Sequence, residues 1–80
     1  KIMSEEIEYT AEDAARDIPA TMESVEIVER VRAVAEADRT EDEDGELFRN
    51  EGHIVIKMAF ENFVTALSSE QKTKIDALGL

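Results

Sequence analysis

Residues 52–67 read G-H-I-V-I-K-M-A-F-E-N-F-V-T-A-L, and this stretch limits the fold more than any other. Ten of its residues are apolar: Ile54, Val55, Ile56, Met58, Ala59, Phe60, Phe63, Val64, Ala66 and Leu67. At the helical period they cover most of the circumference. They leave one polar stripe at i, i+4 spacing, formed by His53, Lys57, Glu61 and Thr65. A helix so apolar must be wrapped by other elements or by a second chain. The spacing therefore predicts a central helix over 51–67, buried at Phe60 and Phe63. A competing pattern lies in the same place. E-L-F-R and H-I-V-I-K-M, joined at Asn50-Glu51-Gly52, read as a hairpin at 46–58 with Ile54, Ile56, Met58 and Phe60 alternating, which would make the fold α+β.

The flanking segments read as the wrapping. Thr10 followed by Ala11-Glu12-Asp13 places a hydroxyl N-cap before acids that face the positive end of the helix dipole. Pro19 predicts a boundary, because the residue before proline avoids helical angles. A second helix then runs from about Ala20 to Asp38, with Val28, Val31, Val34 and Ala35 on one face and Ile27 beside them. Residues 39–50 form an acidic loop that Leu47 and Phe48 tuck back onto the core, and Asn50 caps the central helix. Ser68-Ser69-Glu70-Gln71 opens the last helix with a capping box. Ile75 and Leu78 pack it down, and Gly79 ends it. Residues 1–9 fray, although Ile2, Ile7 and Tyr9 can pack. The expected fold is all-α: a small compact bundle of about four helices, two long and two short, in a single domain of residues 1–80.

Charge bounds the function. The net charge is −11, and residues 1–51 carry 17 acids against 6 bases, so the whole imbalance lies there. Such a field repels nucleic acid and anionic membranes and attracts basic surfaces. With no cysteine the chain has no thiolate nucleophile, thiolate metal site or disulfide. No apolar run approaches the length of a membrane span and no segment suggests export, so a cytoplasmic protein is expected. The single His53, three glycines and surface carboxylates supply no catalytic pairing or phosphate cradle, and neither enzyme activity nor a cofactor is expected.

One motif stands out. Thr40 to Glu51 is a twelve-residue window with Asp42, Asp44, Gly45, Leu47 and Glu51 at the spacing of ligands, turn glycine, apolar anchor and bidentate glutamate. Over these residues the chain resembles an EF-hand calcium loop, which implies Asp42, Asp44 and Glu51 as ligands. Thr40 occupies the first ligand slot in place of aspartate, and no second loop is present, so calcium binding is expected to be weak or absent.

The function expected from the sequence is a non-enzymatic protein–protein interaction module whose acidic surface engages a basic partner. In its sharper form it is a nucleic-acid-mimicking inhibitor of phage or mobile-element type, occupying the site of a nucleic-acid-binding protein. The acids concerned are Glu41, Asp42, Glu43, Asp44 and Glu46, with Tyr9, Phe48 and Met3 as exposed apolar contacts. Hydrated acids in a loop do not help a fold. Neutralising Asp42, Glu43 and Asp44 is thus expected to weaken partner binding and to leave the melting temperature unchanged or slightly raised. The alternative is a small accessory or self-assembling subunit, a homo-oligomer in which another copy completes the central helix.

Overall fold

The computed structural model describes residues 8–80. They form an all-α fold without strands among the described residues: α1 (Ala11–Arg32), α2 (Glu41–Met58), α3 (Glu61–Ala66) and α4 (Ser69–Asp76), with a 3-10 turn at Glu36–Asp38. The two long and two short helices match the expected class, and the hairpin at 46–58 does not form. No helix among the described residues is long and apolar enough to cross a membrane. The expectations for Ile2, Met3 and Ile7 lie outside the described residues.

Three helices start with the same device. Thr10, Thr40 and Ser68 each accept the backbone N–H of the residue three positions on, and Asp13, Glu43 and Gln71 return the bond to the cap backbone. Such caps satisfy donors that a helix end leaves free and are worth about 1 kcal/mol each. The second of them overturns the expected acidic loop at 39–50. Thr40-x-x-Glu43 is a capping box, and Glu41, Asp42, Glu43 and Asp44 fill the first turn of α2, where the dipole favours negative charge. Asn50 is therefore inside α2, not a cap, and its side chain donates to the Glu46 carbonyl at 2.8 Å.

Pro19 sits inside α1 and does not end it. Proline leaves the carbonyl four residues back without its helical donor. That residue, Ala15, is exposed like Pro19 itself, so water can serve the freed carbonyl. Meanwhile the opposite face of α1 buries Ala14, Thr21, Val25, Val28 and Val31. Burial of that continuous face outweighs the local preference of Ile18. At the far end of α1, Arg39 Nε donates to the carbonyls of Val31 and Val34, closing off the last turn.

Helices α1 and α2 run antiparallel, with Asp17 opposite Lys57, Thr21 opposite His53 and Arg30 opposite Glu46. The chain end packs against both: Ile75 and Leu78 join Val25, Val28 and Ile54 in one buried cluster. Arg32 ties it down through a 2.7 Å bond to the Leu78 carbonyl and an ion pair with Glu51. Gly79 then takes φ +69°, the left-handed turn that ends the helical run.

The expected continuous helix over 51–67 is broken at Ala59-Phe60, where Phe60 is extended at φ −97° and ψ 120°. No proline or glycine causes this. Ile54 and Phe63 are both fully buried. In one straight helix nine residues of about 100° each would point them to opposite sides. Breaking the helix lets α3 turn back on α1 and bury both. Phe60, expected in the core, instead lies 38% exposed.

Candidate functional site

The orientation of α2 decides which of its residues face outward. Its polar residues His53 and Lys57, expected to form the solvent stripe, turn toward α1 and are half-buried. Lys57 Nζ lies 2.8 Å from Asp17 Oδ2. His53 Nε2 lies 3.3 Å from Thr21 Oγ1, whose own proton goes to the Asp17 carbonyl, so the hydroxyl oxygen accepts from the ring. With one face of α2 held by these polar contacts and another by Ile54, the remaining apolar residues are left on the surface.

They are unusually bare. Phe48 is 78% exposed, Ile56 61%, Val55 49% and Leu80 48%. Phe48, Gly52, Val55, Ile56 and Ala59 follow i, i+3, i+4 spacing and so share one side of α2. An open groove of about 530 Å³ is lined by Phe48, Arg49, Glu51, Gly52, His53, Val55, Ile56 and Leu80. A neighbouring cleft of about 260 Å³ between α2 and the chain end shares Val55 and Leu80 with it. Single exposed apolar residues are ordinary, whereas a contiguous row of large ones marks a contact surface. The sequence reading assigned Phe48 in part to the core and missed Val55, Ile56 and Leu80. Its usable signal was the excess itself, since one helix cannot turn apolar residues on every side into the core of so small a domain.

The acids named from the sequence are dispersed. Glu43 belongs to the Thr40 capping box, and Glu46 pairs with Arg30 at 3.2 Å. Glu41, Asp42 and Asp44 are exposed, with no ion-pair partner among the described residues. The calcium-loop resemblance does not extend to conformation, because the whole window after Thr40 is helical. Asp42 and Asp44 there point about 200° apart, and Asp44 and Glu51 stand about 10 Å apart along the axis. Among the described residues no three His, Asp or Glu side chains are grouped to hold a metal ion.

Tyr9 is engaged inside the fold. Its ring stacks on Phe60 with centroids 4.4 Å apart, Lys57 Nζ lies 5.4 Å above it, and its hydroxyl donates to Asp17 at 2.8 Å. Asn62 adds a bond to the Tyr9 carbonyl. Burial first, then the hydrogen bond to the Asp17 carboxylate, pushes the phenol up to about 12. Asp17 is held below the usual carboxylate range by the bond from Lys57 and then that from Tyr9. Asp13 is lowered in the same direction by the Thr10 backbone and side chain and by Arg16. These groups clasp Tyr9, just ahead of α1, to the α2–α3 corner. No family model matches the chain, and neither a curated protein nor a solved structure matches it.

Proposed function

We propose that this protein is a non-enzymatic interaction module that docks an apolar helical surface against the outward face of α2. The observation that carries this reading is the row Phe48, Val55, Ile56 and Leu80, left bare although the fold's own polar contacts on α2 are satisfied. A partner helix laid in the groove would be read through anchors at i, i+3, i+4 and i+7. A second reading keeps the acidic surface as the contact and takes a basic partner, nucleic-acid-binding or otherwise. It is supported by exposed Glu41, Asp42 and Asp44 at one end of α2 and by the net charge of −11. The first reading ranks higher because the acids already serve α2 as a first turn, whereas the apolar row is left uncovered among the described residues.

Nuclear magnetic resonance titrations separate the two. A neutral synthetic helix with leucine at heptad positions is expected to shift the amides around Phe48, Val55, Ile56 and Leu80, with little dependence on salt. A lysine-rich peptide lacking the leucine row should leave them in place. Shifts confined to residues 41–46, given only by the lysine peptide and lost on adding salt, would refute the apolar reading in favour of the acidic one.

A further inference from the structure

Resting on the reading that the α2 face is a docking surface, we infer that its occupant is a second copy of this chain, bound antiparallel about a twofold axis between residues 53 and 54 of α2. Along the outer face small and large residues alternate in a seven-residue repeat: Gly45, Gly52 and Ala59 recur at one position, Phe48 and Val55 at the other. A seven-residue repeat is the seam of paired helices. In a parallel pair like meets like, so glycine faces glycine across a void while Phe48 crowds its own counterpart. The antiparallel register instead sets Phe48 against the partner's Ala59 and Val55 against the partner's Gly52. The twofold repeats both contacts, giving four layers of one large side chain on one small one, as an isologous interface requires.

Gly52 is the telling residue. Glycine inside a helix is destabilising relative to alanine, and here no positive φ calls for it. Nor does any contact among the described residues, where a Cβ at Gly52 would meet nothing within 4 Å. Close approach from outside supplies the reason, and the side chain of the partner's Val55 fits the space. The edges of the seam are compatible with a copy of itself. Arg49 on one side and Glu51 on the other fall against the partner's Ile56 and Met58, so no like charges face each other across the four layers. Glu51 is in addition already paired with Arg32. The acidic first turn of α2 lies beyond the last layer.

Area and net charge set the strength. About a dozen residues per copy lie in or beside the seam. At the density of ordinary interfaces they bury on the order of 800–1,000 Å² in total, the low end for specific association. The −11 on each copy opposes approach at long range and is screened by salt. The dimer is therefore reversible and strengthens as salt rises, opposite to capture of a basic partner.

Sedimentation velocity from low micromolar to millimolar protein, at low and high salt, tests this. The parent chain is expected to pass from monomer to dimer mass, at lower concentration in high salt. Phe48→Ala should weaken association at least tenfold. Gly52→Leu should abolish it while the melting temperature in dilute solution holds or rises. Gly52→Ala, expected to weaken association severalfold, serves if the larger substitution does not fold. A Gly52→Leu chain that folds and dimerises like the parent overturns the inference. So does a parent that stays monomeric throughout. In the latter case the neutral leucine-heptad peptide decides what else falls. Binding that Phe48→Ala removes keeps the docking face and discards only the second copy, and no binding discards both.

Discussion

The three phenylalanines of this chain sit at three depths, so one chemical deletion can be carried out at each. Phe63 is fully buried, Phe60 is 38% exposed and Phe48 is 78% exposed. Phe63→Ala removes fully buried atoms and leaves a cavity, a loss of about 3–5 kcal/mol. Phe60→Ala opens to water, so the cavity contribution drops out. Scaling about 1.5–3 kcal/mol for full burial by its buried fraction, and adding the stack on Tyr9, gives about 2 kcal/mol. Phe48→Ala loses almost no burial, and the better helix propensity of alanine offsets what is lost, so the change stays within about 0.5 kcal/mol. A domain of this length has a total stability of about 4–12 kcal/mol, and each kcal/mol moves the melting temperature by about 4–8 °C. Phe63→Ala should thus melt at least ~12 °C lower, Phe60→Ala about 10 °C lower, and Phe48→Ala within a few degrees of the parent. Thermal and urea unfolding followed by far-ultraviolet circular dichroism, in dilute protein where association contributes nothing, give the melting shifts and the free-energy losses for all three. Equal losses at Phe60 and Phe63 would mean that α2 and α3 form one continuous core helix. A loss above about 1 kcal/mol at Phe48 that does not change with concentration would mean that the outer face of α2 is covered within the chain.

Three further outcomes follow from the geometry. Tyr9 is the single tyrosine, so its ultraviolet absorbance titration is unambiguous: the phenolate should form near 12, against about 10 for an ordinary tyrosine, and Asp17→Asn should bring the midpoint down. Because the raised phenol favours the neutral form in the fold, the stability it contributes is present below about pH 10 and lost as pH rises toward the folded value. The carboxyls of Asp13 and Asp17 shift the other way, so their contribution is present above about pH 4 and lost as acid takes pH below it; Asp17→Asn should flatten that acid limb in a pH series of thermal melts. Thr40→Ala should cost about 1 kcal/mol, and neutralising Asp42, Glu43 and Asp44 together should lower the melting temperature, since both remove support from the first turn of α2; a triple variant as stable as the parent would show that these acids do not hold the helix.

The helices at either end were legible because their signals are local. Thr10 with Asp13, Ser68 with Gln71, and Gly79 each act within one turn, and local bonds do not depend on what else the chain does. Thr40-x-x-Glu43 carries the same signal. It was obscured because a run of acids beside a glycine also reads as a solvated loop, and the spacing of Asp42, Asp44 and Glu51 also fits a calcium loop. Pro19 misled in the other direction, since its local penalty is real and is outweighed by a buried face that spans both sides of it.

The amino-acid pattern by itself determined that the chain is helical, that it carries more apolar surface around residues 52–67 than one small core can take, and that its acids crowd into the first 51 residues. Which side of that surface would be buried was settled only in three dimensions. Asp17 and Thr21 draw Lys57 and His53 inward, and Phe63 can join Ile54 in the interior only if the helix breaks at Ala59-Phe60. Helical periodicity measures how much apolar surface a segment has. The direction it faces depends on partners more than thirty residues away, and those contacts left Phe48, Val55 and Ile56 in solvent.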